Sequence, residues 1–480
     1  MSKQFLLTVV FATPLVFAQE TPTERQAAHE VLAKMQALES SLNISELVGR
    51  LTSPNPSRDQ VVARAKQLMD KEMLALGDDI TRDPEIGFEE QRAVRKLTQA
   101  LQKHGFEPEV GIADLRTAFV AKYRRKSTAP NQTGPNLGVI LEYDALRGTQ
   151  RAFHGDQHST QGPIGMAAAI AIAEYLDTNR LPGTVTVFGT PGEEMMPPVA
   201  KTVMFKAGVF KGMDLLMRSH AVSATTRPGP GFGTCCMNID GVKYIFSGAP
   251  AHQLVAWNGR NALEGVIHLF ENIDSMRSNI RPEARIQGVI TEGGAAPNVV
   301  PDRAVADFYI RYPDAVYLEQ VHKFVDDAAH AAALSTGTKV KIDHYGSTRD
   351  GISVATLAEL GFAYLKQYGG TKISPTPGAP QGYEETGSVS SAIPGMGLSA
   401  YTSSGAYHTY EMEADALTDI GHHGFLVDAQ AMTALLFDFA TQPDYRAAVK
   451  REFEGIKVLF NEYQEALRKT YTVPKVPDPK

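Results

Sequence analysis

The sequence predicts an α/β protein, a helix-covered mixed sheet into which a smaller α+β unit is inserted. Three observations predict it. Short apolar, β-branched runs alternate with helical stretches between residues 137 and 217, the pattern of a sheet with helices on its faces. From about Met237 the order becomes four strand-like runs interleaved with two helices, the split βαβ arrangement. From about Val354 the first pattern resumes, so the smaller unit interrupts the larger one. A chain of 480 residues has room for both, since single cores stop growing beyond about 250–300 residues.

Residues 1–18 read as a signal peptide. Lys3 precedes an apolar stretch over residues 5–17, and Val16-Phe17-Ala18 offers a small-residue cleavage site after Ala18. Pro14 and the extreme terminal position oppose the alternative, a buried helix. Export, to a periplasm or to the exterior, is therefore expected. Residues 19–57 are polar and helix-prone and end in the breakers Ser53-Pro54-Asn55-Pro56, an N-terminal helical extension. The spacing of Val61, Ala65, Leu68 and Met69, and then of Val94, Leu97 and Leu101, fits two amphipathic helices around a turn at Asp83-Pro84-Glu85-Ile86-Gly87. Strands at 137–141, 184–188 and 213–217 and helices at 165–176 and 199–207 complete the first part of a large domain, 58–236. The inserted unit, 237–346, has strands at 242–246, 286–291, 304–312 and 339–342 and helices at 262–276 and 315–334, a ferredoxin-like lid or dimerisation domain. The second part of the large domain, 347–470, carries a strand at 397–401 among helices, and 471–480 is a loose tail rich in Pro and Lys.

Composition narrows the function classes. With 43% hydrophobic and 21% charged residues the chain is an ordinary globular protein. A formal net charge of -7 and the lack of a basic stripe give no support for a nucleic-acid partner. No second apolar run is long enough to span a bilayer, and no cysteine follows the first one, so no membrane anchor is expected. The two cysteines, Cys235 and Cys236, are neighbours. Adjacent cysteines seldom form an unstrained disulfide, so they read as small buried hydrophobes on a strand.

Candidate donor groups share one position: each follows a strand-like run by a few residues. Asp144 follows 137–141, with His154-Gly-Asp156-Gln-His158 shortly after it; Glu193-Glu194 follows 184–188, His220 follows 213–217, and His408 follows 397–401. In open α/β sheets, sites gather beyond the carboxyl ends of strands, so these clusters are expected to converge on one crevice. Imidazole and carboxylate together suit zinc, with manganese or cobalt as alternatives. Two metals about 3.5–4 Å apart need a bridging carboxylate and two or three further ligands each. Asp156, His158, Glu194, His220 and His408 meet that count. Glu193 is left beside them, placed to take a proton from a bridging water and return it to a leaving amine. Singly these signals are weak: H-x-D-x-H occurs in polar loops, a Glu pair often opens a helix, and lone histidines are commonly structural. Their shared position after strands makes them one reading.

The residues between 83 and 408 resemble a known family, the aminoacylase and carboxypeptidase G superfamily of two-metal peptidases. Within it, the branch of p-aminobenzoyl-glutamate hydrolase and the dipeptidases of basic residues is the most similar. The resemblance rests on Pro84-Glu85-Ile-Gly-Phe-Glu-Glu90, Glu142-Tyr-Asp144-Ala-Leu146 and Gly189-Thr-Pro-Gly-Glu193-Glu194. It continues through Gly248-Ala-Pro-Ala-His252, Asn258-Gly-Arg-Asn-Ala262, Gly293-Gly-Ala-Ala-Pro-Asn298-Val-Val-Pro301 and Phe308-Tyr-Ile-Arg311. It implies a homodimer in which Asp144 orients a metal ligand and His252 reaches a partner subunit's site to polarise the scissile carbonyl. It also implies substrate contacts from Asn298 and Arg311, the guanidinium suiting a carboxylate. Read as surface features instead, His252 is a loop histidine beside Pro250 and Arg311 an exposed strand residue.

Two departures stand out. Where the branch has His-Ala-Cys-Gly-His, this chain has His154-Gly-Asp156-Gln-His158, and aspartate in place of a thiolate favours harder metals and resists oxidation outside the cell. Where the branch has a Thr-Asp-Met-Gly-Asn-like run, this chain has Glu384-Glu385-Thr-Gly-Ser388, expected near the substrate or behind the ligands. The expected activity is hydrolysis of a C–N amide bond in a dipeptide, an N-acyl amino acid or an aminobenzoyl-glutamate-like substrate, with two divalent metals, zinc foremost. Two alternatives remain: a hydrolase of a non-peptide amide or carbamate, and an exported binding protein that keeps the scaffold without catalysis.

Overall fold

The computed structural model describes residues 22–127, 134–235 and 237–471. The expected signal peptide, Cys236 and the tail from Thr472 lie outside the described residues. The chain opens with α1 (Pro22–Ser40), α2 (Ile44–Leu51), α3 (Pro56–Leu68), α4 (Leu74–Thr81) and α5 (Gln91–Lys103). Asn55 caps α3 by accepting the N–H groups of Ser57 and Arg58, with Pro56 at the first helical position. A π-helical turn over Met69–Met73 carries α3 into α4. There follow β1 (Phe106–Val110), β2 (Phe119–Tyr123), β3 (Asn136–Leu141), β4 (Leu146–Arg147), β5 (Ala152–Phe153) and α6 (His158–Thr178). Next come β6 (Thr184–Gly189), α7 (Ala200–Lys206), β7 (Leu215–Ser219) and β8 (Gly231–Gly233). The inserted run is β9 (Asn238–Ser247), α8 (Ala262–Met276), β10 (Arg285–Glu292), β11 (Arg303–Tyr312), α9 (Ala315–Thr336) and β12 (Lys339–Thr348). The chain closes with β13 (Gly351–Ser353), α10 (Ala355–Gln367), β14 (Gly395–Leu398), α11 (Tyr410–Asp415), α12 (Asp419–Thr441) and α13 (Pro443–Thr470).

Six strands form the main sheet in the order β1-β2-β6-β3-β7-β14. The four central and outer strands β6, β3, β7 and β14 are parallel, while β2 joins β6 and β1 joins β2 antiparallel. Both faces are covered, which is why the strands read as continuous apolar runs. Leu137, Val139 and Leu141 of β3, Val187 of β6 and Met217 of β7 enter the core under α3, α6 and α12. Ile140, Phe188 and Leu216 point the other way, onto Met204 and Phe210, as period-two alternation requires. Helix α6 lies so close to β3 that a Cβ on Gly165 would sit 2.6 Å from Val139 Cγ1.

The inserted unit is an antiparallel sheet in the order β10-β11-β9-β12, with α8 and α9 on one face. Strand order and helix placement are those of the expected ferredoxin-like arrangement. The other face meets the large domain: Tyr309 on β11 donates its hydroxyl to the Met196 carbonyl at 2.5 Å, two residues after Glu193-Glu194. Helix α13 touches both units. Tyr445, Val449, Phe453 and Ile456 join the main core, whereas Leu467 and the following Tyr471 join the core of the insert. Tyr471, the first residue of the expected loose tail, donates its hydroxyl to Asp314 at 2.7 Å.

The cysteine expectation needs correcting. Cys235 is exposed in a bend between β8 and β9, and it is disulfide-bonded. No helix among the described residues is long and apolar enough to cross a membrane.

Candidate active site

The expected donors gather at the carboxyl ends of the parallel strands. Asp144 lies three residues beyond β3, Glu193 and Glu194 lie in the turns beyond β6, and His220 directly follows β7. Glu193-Glu194 is thus a loop pair, and α7 begins only at Ala200. His158 is the first residue of α6, earlier than the small-residue stretch suggested, and it is buried. Asp156 and His408 meet across the crevice at 2.9 Å, Oδ2 to Nε2.

Asp144 organises the set. Its Oδ1 is 3.0 Å from His158 Nδ1, and its Oδ2 accepts the Glu194 backbone N–H at 2.8 Å. With the carboxylate as acceptor, Nδ1 carries the proton of the neutral ring, so Nε2 is the nitrogen free to ligate once the ring is neutral. That Nε2 is buried and has no hydrogen-bond partner; it lies 3.6 Å from Glu142 Oε2 and 3.9 Å from Glu193 Oε2. His220 is held the same way, with Nδ1 3.0 Å from its neighbour's carbonyl, Ala221 O. Burial first, then Arg218 and His158, pulls His220 down to about 4, so it is a neutral imidazole at pH 7.

Three overlapping donor sets result: Asp156 with Glu194 and His408, His158 with Glu193 and Glu194, and His158 with Glu142 and His220, each with donor atoms within 4.8 Å of one another. Through shared members they join all five expected ligands and Glu193 into one cluster. Its electrostatics fit cations. Burial and the neighbouring acids push Glu193 and Glu194 upward. At His158, burial acts downward but is outweighed by the Asp144 hydrogen bond and the Glu194 and Glu142 charges, which hold it well above its ordinary value. The donor set therefore carries more negative charge than the protein around it neutralises; a bound cation would displace the extra proton from His158, and imidazole with carboxylate suits a zinc-class ion.

Behind the candidate ligands lies a layer of which the sequence indicated only the Glu384-Glu385 segment. Glu142 Oε1 accepts from Lys201 Nζ at 2.6 Å and from Arg218 at 2.7 Å. Glu385 pairs with the same two cations, at 2.8 Å from Arg218. Lys201 and Glu142 are 2% and 0% exposed, so this is a buried, charge-balanced quartet. Glu142 belongs to the quoted Glu142-Tyr-Asp144 motif, whereas nothing in the sequence singles out Lys201 or Arg218. The Glu384-Glu385 pair divides its work: Glu384 accepts the N–H groups of Thr386, Val389 and Ser390 in its own turn. Where the branch has glycine, Gln157 stands in the left-handed region at φ 52°. Its amide donates to the Met412 carbonyl at 2.6 Å, offsetting a strain of about 1 kcal/mol.

Three expected site residues are not brought to this cluster within the described chain. His252 is exposed on the insert, its Nδ1 accepting the Leu254 N–H at 3.2 Å. Asn298 is exposed nearby, its carbonyl accepting from Gln253. Arg311 lies on the β11 face shared with Tyr309, with a buried Nε that has no hydrogen-bond partner.

Residues 237–336 match the peptidase dimerisation domain family. The Xaa-Arg dipeptidase of Homo sapiens is 29% identical over 401 residues, covering 79% of this chain and 88% of that protein. Both findings make the chain similar to the aminoacylase and carboxypeptidase G superfamily. Another superfamily relative, a p-aminobenzoyl-glutamate hydrolase polypeptide of Escherichia coli (strain K12), is 30% identical over 282 residues, 55% of this chain and 56% of that one. Among solved structures, the aminobenzoyl-glutamate utilization protein from Klebsiella pneumoniae has a TM-score of 0.55 at 17% identity, covering 78% of this chain and 98% of that one. The superfamily's helix-covered mixed sheet is the fold they share.

Proposed function

We propose that this chain hydrolyses the C–N amide bond of a small substrate, a dipeptide, an N-acyl amino acid or an aminobenzoyl-glutamate-like amide, with Glu193 as general base. Its similarity to a dipeptidase and to a p-aminobenzoyl-glutamate hydrolase polypeptide, together with the clustered donor groups, supports a metal-using hydrolase of amide bonds. The observation that carries the reading is the cluster of Asp156, His158, Glu194, His220 and His408 at the strand ends, with Glu193 beside it. These five residues would hold two divalent ions, zinc foremost, which supply Lewis-acid polarisation and make water acidic enough to ionise near neutrality. Asp144 fixes the His158 tautomer, and Glu193 takes the proton from the attacking water and delivers it to the leaving amine.

Arg311, with its unpartnered buried Nε, is suited to grip a substrate carboxylate. A second copy would bring His252 to the scissile carbonyl and Asn298 to the substrate. Support for the homodimer comes from the match to a dimerisation domain and from the apolar surface beside His252, where Leu254 and Trp257 are each 75% exposed. The leader pattern of residues 1–18 supports export.

The test compares wild type with Glu193→Ala for metal content and for turnover of a panel of dipeptides and N-acyl amino acids. About two metals per chain in both, with turnover lowered in the variant by about 10²–10⁴-fold, is the expected result. An equally active variant would remove Glu193 from the chemistry, and a metal-free, inactive wild type would favour the binding-protein alternative.

A further inference from the structure

A second group of donors lies on the insert, away from the strand-end cluster. Helix α9 carries His322 and Asp326 one turn apart, on the same face. Strand β12, one of the two edges of the insert's sheet, brings His344 against them. Asp326 is the centre of the group: its two oxygens lie 3.7 Å from His322 Nε2 and 3.7 Å from His344 Nε2. The two imidazole rings are 4.4 Å apart, centroid to centroid.

The surroundings orient these side chains as ligands. His322 Nδ1 lies 2.8 Å from Asp240 Oδ2, and Arg349 donates to the other oxygen of Asp240 at 2.6 Å. A carboxylate held by a guanidinium is an acceptor, so Nδ1 of His322 bears the proton and its Nε2 keeps a lone pair. That Nε2 is buried and has no hydrogen-bond partner. Asp326 is fixed in turn by the Tyr244 hydroxyl, which donates to Oδ1 at 2.8 Å. A carboxylate on the far nitrogen of a histidine, and a hydroxyl on a ligating carboxylate, are the outer supports that metal sites carry.

We propose that His322, Asp326 and His344 form a transition-metal site of the zinc class, separate from the catalytic donors. Bonds of about 2.0–2.1 Å in a tetrahedron set neighbouring donor atoms roughly 3.3 Å apart. The 3.7 Å separations are too long for hydrogen bonds, which close to about 2.9 Å, and reach that edge by a shift of a few tenths of an ångström. Two imidazoles and one carboxylate suit Zn²⁺ over Mg²⁺ or Ca²⁺, which prefer all-oxygen sets. His344 is 49% exposed, which leaves the fourth position open to water. Such an ion ties β12, an edge strand paired on one side only, to α9.

Equilibrium dialysis of chelator-treated protein against Zn²⁺ tests the site. Wild type is expected to take up about one zinc per chain more than His344→Ala or His322→Ala, both variants retaining the catalytic equivalents. Half-exposed on an edge strand, His344 is replaceable without loss of the fold. Mass-spectrometric labelling of histidines adds a residue-level readout: zinc should protect His344 in wild type and fail to do so in Asp326→Asn. Equal zinc counts in wild type and His344→Ala, or a His344 labelling rate that zinc leaves unchanged, would overturn the site.

Discussion

The buried quartet of Lys201, Arg218, Glu142 and Glu385 makes a sharp energetic prediction. Replacing Lys201 by Met removes one of two cations and leaves Arg218 against two carboxylates, a net negative charge where exposure is 0–2% at Glu142 and Lys201. The lost Lys201–Glu142 contact spans 2.6 Å, worth about 6 kcal/mol in gross Coulomb energy at an effective dielectric constant of about 20. The desolvation already spent on Lys201 is recovered, so the net loss expected for breaking such a buried group is about 3–5 kcal/mol. Removing Glu385 as well, in Lys201→Met/Glu385→Gln, restores charge balance and leaves the Arg218–Glu142 pair intact. The double variant should therefore be more stable than the sum of the two single losses predicts, by about 1–3 kcal/mol of coupling. Urea unfolding followed by circular dichroism measures all four corners of the cycle. Simple additivity, or a Lys201→Met loss under about 1 kcal/mol, would refute the claim that the quartet is buried and balanced.

Asp428 is fully buried, accepting from the Ser219 hydroxyl at 2.5 Å and the Ala400 N–H at 2.9 Å, and burial raises it to about 7. An unfolded Asp ionises near about 4, so this group withdraws stability as pH rises from about 4 to about 7 and adds no slope above that; Asp428→Asn should flatten the melting temperature between pH 5 and 7.5, and an unchanged slope would count against the assignment. Asp144→Ala frees the His158 ring and should weaken metal retention by about 10–100-fold in chelator competition, whereas retention equal to wild type would deny it the orienting role. The proposed homodimer predicts that Trp257→Glu, at a position 75% exposed beside His252, sediments as a monomer where wild type sediments as a dimer; a variant that stays dimeric would move the interface elsewhere, and a monomeric wild type would remove it.

The parallel strands were legible because both sheet faces are covered, which makes 137–141, 184–188 and 213–217 mostly apolar or β-branched. The insert was legible through its strand and helix order. Strands β1 and β2 were not: Phe106-Glu-Pro-Glu-Val110 carries two acids and a proline, which an edge strand tolerates and a periodicity reading discounts. At the site, the candidate donors were legible because they follow strands, and backbone geometry places such residues at one crevice. Lys201 gave no signal because its burial depends on Glu142 and Glu385, which are distant in sequence and adjacent only after folding. Cys235 misled for a related reason: its exposure in a bend is set by the passage between two sheets, not by its neighbours in sequence.

Helix α13, 28 residues and about 42 Å long, begins among the residues of the large domain and ends among those of the insert. Neither core can melt without stripping apolar contacts from the same rod. A calorimetric scan should therefore show a single endotherm with matching van't Hoff and calorimetric enthalpies, where a lid tethered only by its two strand connections would give two.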